Sequence, residues 1–196
     1  QYTQNMDNNS ELLKHIWKID YIQLENILCY TKQSFNFKNK IQMSKLWCLV
    51  GPNANGKTSF VQSILFALFG RIPQLTKDDI NNKNLKGKNR YPKTTVKFHI
   101  DSDNYSIIRT IKTVKLFKND QDISETSKRD TEVIIHRLIG SDETIINTNI
   151  SLQSHRNHFI DGQSAQSLKT LKTILSLDFY DEINSKIKPK LIQLES

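Results

Sequence analysis

Residues 51–58 carry a spacing of glycine, lysine and hydroxyl residues that suits the binding of phosphate. The stretch GPNANGKT matches G-x-x-x-x-G-K-[ST], with Gly51 and Gly56 framing the loop. A loop of this kind turns successive backbone N–H groups inward and ends at the N-terminus of a helix, whose dipole favours an anion. Lys57 would add a cation for the β and γ phosphates, and the Thr58 hydroxyl is a hard oxygen ligand suited to Mg²⁺.

The whole loop is therefore predicted to be a nucleotide site built mainly from main-chain donors. Ser59, just after the motif, is placed to assist at the α phosphate. The predicted nucleotide-binding residues are Gly51, Asn53, Ala54, Asn55, Gly56, Lys57, Thr58 and Ser59.

The elements on both sides of the loop agree with this chemistry. Residues 45–51, KLWCLVG, are a near-continuous apolar run, which is typical of a central strand covered on both faces. Residues 57–69 place Phe60, Ile64 and Leu68 on one face of a predicted buried helix, and Gly70 closes it. A strand before the loop and a helix after it are the context in which this motif binds phosphate.

The rest of the chain predicts an α/β protein. Alternating apolar and polar residues predict strands, a three-stranded antiparallel meander among them, while apolar residues at helical spacing predict helices. Residues 70–92 are rich in glycine, proline and lysine and predict a long loop with little regular structure. The predicted strands are 17–24, 33–39, 93–100, 105–111, 114–119 and 146–152, and the predicted helices are 127–138, 164–177 and a final polar helix.

Composition restricts the environment and the partners. The 28 lysines and arginines against 20 acidic residues give a net charge of +8, which favours phosphate-bearing partners but equally suits a solvated surface. Cys29 and Cys48, the two cysteines, have apolar or aromatic neighbours, as expected for buried thiols in a reducing compartment. No apolar run approaches the length of a membrane span, so we expect an intracellular protein with no membrane partner.

Two longer stretches resemble the SMC-like ABC ATPases. The layout IDYIQLENILCYTKQSFNF followed by LWCLVGPNANGKTSFVQSILFALFG is similar to the start of that family: a strand, an Asn-containing turn, a returning strand, the phosphate loop and an apolar helix. The later stretch NTNISLQSHRNHFIDGQSAQSLKTLKTILSLDFYDEI is similar to its Q-loop region. This second pattern is closest to the double-strand-break-repair branch, the SbcC or Rad-fifty type and the phage recombination endonuclease subunit.

The resemblance implies roles for particular residues. Gln153 would be the Q-loop glutamine, which touches Mg²⁺ and the attacking water, so Lys57 and Gln153 are the predicted catalytic residues and Thr58 and Gln153 the predicted metal ligands. Asn53 would bond either the γ phosphate or an opposing subunit. Two positions depart from the family: Ala54 stands where glycine is usual, and Leu28 where many relatives have an arginine near the nucleotide.

The resemblance also implies an ABC-type head, of which this sequence is the N-terminal lobe with a mixed sheet and helices that lead into a coiled coil. A Walker B strand and a Ser-Gly-Gly signature do not occur in these residues. The partners implied are a C-terminal ATPase lobe, a second head in a homodimer, a nuclease subunit and double-stranded DNA, with ATP and Mg²⁺ as cofactors. This chain alone is expected to hydrolyse ATP negligibly.

We expect a disordered tail over residues 1–12, the ATPase lobe over 13–177, and over 178–196 either the start of a coiled coil or a capping helix.

Two further functions stay open at this point, and so does the role of one basic surface. The rivals to a repair ATPase are a chromosome-organising SMC ATPase or loader without a nuclease, and a nucleotide-binding structural module that hydrolyses nothing. A basic series is either a DNA-phosphate surface or a solvated loop, and its members are Lys83, Lys86, Lys88, Arg90 and Lys93. Arg109, in the strand YSIIRT, is expected to form a structural ion pair.

Overall fold

The computed structural model describes residues 17–38, 49–83 and 91–148, and residues 165, 167, 168, 171, 172, 177, 187 and 188. The chain divides into two compact units, Gln1–Gly140 and Ser141–Ser196. The predicted tail over residues 1–12 and most of 149–196 therefore lie outside the described part. Within that part, no helix is long and apolar enough to cross a bilayer.

The first unit is built on a six-stranded sheet in the order β2-β1-β3-β4-β5-β6, in which every neighbouring pair is antiparallel. The chain leaves the sheet after β2 and returns beside β1 as β3, and this crossover carries the phosphate loop. The strands are β1 Trp17–Ile27, β2 Tyr30–Asn36, β3 Lys93–Ile100, β4 Asp103–Thr110, β5 Val114–Lys118 and β6 Gln121–Asp122.

The sheet has one buried and one more exposed face, as the alternating sequence pattern predicts. Ile22, Val96 and Ile107 lie side by side on β1, β3 and β4 and have no exposed surface. On the opposite face, Tyr21 lies beside Lys97 of β3. Period-2 alternation thus fixes the register, because a one-residue slip would turn the apolar set to solvent.

Four helices have bounds among the described residues: α1 Lys57–Phe69, α2 Lys77–Ile80, α3 Lys128–Ile139 and α4 Asp142–Thr148. The described residues 165, 167, 168, 171 and 172, within the predicted helix 164–177, are also helical, as are 187 and 188 of the predicted final helix. Helix α1 packs against β3, β4 and β1, and helix α3 packs against β5. The predicted bounds of α1 are confirmed, but its predicted buried face is only partly right. Leu68 is buried, whereas Phe60 and Ile64 are half-buried, because the core covers the C-terminal half of the helix while the N-terminal half lies at the loop.

The junction of β4, α1 and α3 contains a buried arginine. The Arg109 side chain has no exposed surface, and its guanidinium pairs with the carboxylate of Glu132 on α3. It also donates to two carbonyls at the C-terminal end of α1, from Nε to Ala67 at 3.0 Å and from Nη2 to Leu68 at 2.8 Å. The predicted structural ion pair is confirmed, and it ties the phosphate-loop helix to the sheet.

The predicted central strand over 45–51 is wrong at its end. Leu49 and Val50 are in no strand and are 51% and 85% exposed. Because β1 pairs with β2 on one side and β3 on the other, these two residues take no central position in this sheet. Residues 45–48 lie outside the described part.

The predicted strand over 146–152 is also wrong where it can be compared, since residues 146–148 belong to helix α4. Asp142 and Glu143 occupy the first turn of that helix, where negative charge is favourable, and Ile145 N–H donates to the Ser141 carbonyl at 3.0 Å. These short-range interactions start a helix that the alternating apolar pattern did not reveal.

The loop predicted over 70–92 contains more order than expected. Helix α2 begins with a capping box in which the Thr76 hydroxyl accepts from the Asp79 N–H and the Asp79 carboxylate accepts from the Thr76 N–H. Residues 84–90 lie outside the described part. The meander over β3, β4 and β5 and the helix ending at Gly140 are confirmed.

Candidate nucleotide site

The phosphate loop leaves Val50 and turns tightly into helix α1. The Asn55 N–H donates to the Pro52 carbonyl at 3.4 Å, and Ala54 and Gly56 both take left-handed backbone angles, with φ of 66° and 78°. At Gly56 this conformation suits glycine, whereas at Ala54 the Cβ is strained. The loop from Pro52 to Asn55 is exposed, so its main chain is open to a ligand from solvent.

The N-terminus of α1 lacks the cap that the other helices of this unit have. Its N-cap residue, Gly56, has no side chain to accept from the first turn, and no acidic residue lies in that turn. By contrast, α2 is capped by Thr76 and α3 by Ser127. The first N–H groups of an α-helix have no partner within the helix, so those of Lys57, Thr58 and Ser59 are suited to an anion.

Lys57 folds back over the loop that precedes it. Its ammonium donates to the carbonyls of Gly51 at 2.7 Å and Pro52 at 2.6 Å. The positive charge therefore lies at the start of the loop, where it adds to the partial charge of the helix N-terminus. Thr58 is exposed at the same end of the helix.

The turn between β1 and β2 lies against this loop, which the sequence did not predict. The Tyr30 hydroxyl donates to the Gly56 carbonyl at 3.0 Å. A Cβ added to Gly56 would lie 2.7 Å from the Cys29 Sγ and 3.2 Å from the Tyr30 hydroxyl, so only glycine fits here. Cys29 is nevertheless exposed, and the prediction of a buried thiol is wrong for it because it lies at the tip of a surface hairpin. Cys48 lies outside the described residues.

Aromatic rings continue this contact along the helix. The Tyr30 ring meets Phe35 edge to face at 6.1 Å, and Phe35 packs on Phe60 of α1 at 4.5 Å between ring centroids. Phe37 contacts the same phenylalanine at 6.4 Å.

Burial, and secondarily the neighbouring Cys29, raise the pKa of Tyr30 above its ordinary value of 10.0, so the hydroxyl is a donor at neutral pH.

The turn is held from its other side by the last residue of α2 and the segment that follows it. Leu28 N–H donates to the Ile80 carbonyl at 2.8 Å, and Asn82 N–H donates to the Asn26 carbonyl at 3.1 Å. Asn26 and Leu28 both have left-handed backbone angles, with φ of 54° and 50°. These bonds fix the strained turn beside the phosphate loop.

The remaining predicted site residues fall in two groups. Lys83 is exposed and pairs with Asp79 at 3.0 Å, and Lys93 is exposed at the start of β3 beside Glu25 of β1. The others lie outside the described residues, so their positions stay predictions: Lys86, Lys88, Arg90 and Gln153. Among the described residues, no cluster of three or more histidine, cysteine or acidic side chains forms a metal site.

A glycine-framed loop that opens an uncapped helix beside a sheet defines a P-loop NTPase domain. The chain belongs to the AAA_23 family, described as an AAA domain, whose model matches residues 21–195. The predicted fold class, an α/β P-loop domain, is confirmed, although the sheet, predicted to be mixed, is antiparallel throughout the described residues.

Relatives agree with this assignment. The chain is 23% identical over 85% of its length to a DNA double-strand break repair Rad50 ATPase of Methanocaldococcus jannaschii, and 26% identical over 85% of its length to the protein of that name from Sulfolobus acidocaldarius. It is 29% identical over 96% of its length to uncharacterized protein R555 of Acanthamoeba polyphaga mimivirus. The match covers 16%, 19% and 15% of these three proteins, respectively. The predicted resemblance to the SMC-like, Rad-fifty type is thus confirmed at the level of the family.

Proposed function

We propose that this chain binds ATP with Mg²⁺ through the loop and first helical turn over residues 51–59. The observation that carries this proposal is the uncapped N-terminus of α1, with the ammonium of Lys57 held over the loop that leads into it. Main-chain N–H groups and this cation would hold the phosphates, while Thr58 and Gln153 would hold the magnesium ion. Bound Mg²⁺ supplies charge neutralisation at the β and γ phosphates.

We further propose that the chain is the N-terminal ATPase lobe of a DNA repair or recombination protein. Support comes from the two archaeal relatives, which are named DNA double-strand break repair Rad50 ATPases, and from the small fraction of their length that this chain spans. In this proposal a C-terminal lobe and a second, identical head complete the hydrolytic site. The assembled protein acts on double-stranded DNA inside the cell and regulates a nuclease subunit at DNA ends.

Three described lysines support the proposed DNA contact. Lys93 and Lys97 point to the more exposed face of the sheet, at the start and middle of β3. Lys83 is 72% exposed, although its ion pair with Asp79 offsets part of its charge. Contacts of this kind would bind phosphates without regard to base sequence and weaken with salt.

Nucleotide binding can be tested by calorimetric titration of Mg²⁺ and ATP into the purified chain. Lys57→Ala removes a charged hydrogen bond to phosphate, so we expect affinity to fall by about 10- to 100-fold. Lys32→Ala is the matched control, because Lys32 is an exposed lysine of β2 that lies opposite Glu25 of β1. Binding by the Lys57 variant equal to that of the control would refute the proposed site.

The wider proposal needs the complete head. Mixing this chain with a C-terminal lobe should produce ATP hydrolysis that duplex DNA stimulates and that Lys57→Ala abolishes. A nuclease subunit added to this mixture should cut DNA ends only when ATP is present. Hydrolysis without any effect on a nuclease would favour the chromosome-organising function. Binding without hydrolysis in the full-length protein would favour the structural module.

A further inference from the structure

We propose that Tyr30 is a positioning residue for the phosphate loop, which it orients through the carbonyl of Gly56. This inference deepens the proposed nucleotide binding and rests on it. The relevant contact joins residues that are 26 positions apart, with the Tyr30 hydroxyl 3.0 Å from the Gly56 carbonyl oxygen.

The Gly56 carbonyl is held by two donors at once. Besides the Tyr30 hydroxyl, it accepts the Phe60 N–H at 2.8 Å, the first backbone bond of helix α1. A trans peptide unit is planar, with its C=O and N–H pointing in opposite directions. Fixing the Gly56 carbonyl therefore also fixes the N–H of Lys57, one of the unpaired donors at the helix N-terminus.

Glycine makes this restraint necessary. Gly56 has φ of 78°, and a glycine rotates between left-handed and right-handed conformations with little steric barrier. Without the hydroxyl, the bond from the Phe60 N–H alone would hold the peptide that follows Gly56. The hydroxyl of Tyr30 supplies that restraint from the hairpin, beside the loop.

Tyr30 is itself held in place independently of its hydroxyl. Its ring packs on Phe35, and the turn that carries it is bonded through Leu28 N–H to the carbonyl of Ile80. Removing only the oxygen should therefore leave the hairpin packed. Tyr30→Phe is consequently a clean test, because the ring and its aromatic contacts remain.

The experiment titrates wild type, Tyr30→Phe and the control Tyr21→Phe with Mg²⁺ and either ATP or inorganic tripolyphosphate. The control removes a hydroxyl that donates to Gln23 at 3.0 Å, on the more exposed face of the sheet where Tyr21 lies beside Lys97. For Tyr30→Phe we expect affinity to fall by about 2- to 10-fold for both ligands, the effect of one net hydrogen bond. The melting temperatures of the two variants should be the same.

The outcomes separate the two proposals. If wild type binds ATP and Tyr30→Phe binds it equally well, the positioning role is wrong while nucleotide binding stands. If Tyr30→Phe loses affinity for ATP but not for tripolyphosphate, the hydroxyl contacts the nucleoside. If its affinity falls together with its melting temperature, Tyr30 is a structural residue. Either result overturns the inference. Failure of wild type to bind either ligand overturns the proposed function and this inference with it.

Discussion

Substitution of Glu132 by glutamine should destabilise the first unit through the buried arginine that it neutralises. The Arg109 side chain is 0% exposed and that of Glu132 is 20% exposed, so the change leaves a desolvated positive charge without its counter-ion. Glutamine keeps the shape of the side chain and one oxygen acceptor. The perturbation is thus mainly the loss of charge.

The magnitude follows from what Arg109 retains. Removing one partner of a buried ion pair typically costs about 3–5 kcal/mol. Here the guanidinium still donates to the carbonyls of Ala67 and Leu68 at the C-terminal end of α1, where the helix dipole favours a cation. We therefore expect a loss of about 2–3 kcal/mol in the free energy of unfolding, or roughly 4–12 °C in melting temperature for a chain of this size.

Thermal unfolding followed by circular dichroism measures this loss, with Glu125→Gln as the control for an exposed carboxylate. Nucleotide affinity well below the melting temperature should not change, because Arg109 lies at the end of α1 opposite the phosphate loop. A Glu132→Gln protein that melts within about 1 °C of the control would refute the reasoning, since it would show that the buried charge needs no counter-ion.

Two other predictions concern the loop and helix α2. Gly56→Ala forces a left-handed φ on alanine and places its Cβ 2.7 Å from the Cys29 Sγ, so unfolding free energy should fall by about 1–2 kcal/mol. A Cβ added by Gly51→Ala meets only ordinary contacts, the nearest at 3.8 Å, so this control should change stability little. Equal melting temperatures of the Gly56→Ala and Gly51→Ala proteins would contradict this account. Hydrogen bonds from Thr76, and next from Lys83, lower the pKa of Asp79 to about 2, below its ordinary 3.8. Its contribution to stability is therefore present above pH 3.8 and lost as the pH falls through 2, so the melting temperatures of wild type and Asp79→Asn should differ at pH 6 and converge near pH 2; a constant difference would be the contrary result.

Much of the fold followed from local patterns. The meander over β3, β4 and β5 was predicted because one face of an antiparallel sheet is buried and the other is not, which produces strict alternation. The predictions for 45–51 and 146–152 were wrong where they can be compared because a short apolar run does not distinguish a covered strand from an exposed segment or a helix. Which of these structures a short apolar run adopts depends on the other helices and strands that pack against it.

By itself, the sequence determined the phosphate loop and the bounds of helix α1, because contiguous residues supply the glycines, the lysine and the helical periodicity. The tertiary structure alone decided that Tyr30 holds Gly56 and that Glu132 neutralises Arg109, across 26 and 23 residues of chain. Such pairs depend on sheet register and on how the helices lie against the sheet. No local pattern carries that information, because a hydroxyl or a carboxylate finds its partner only after the core has formed.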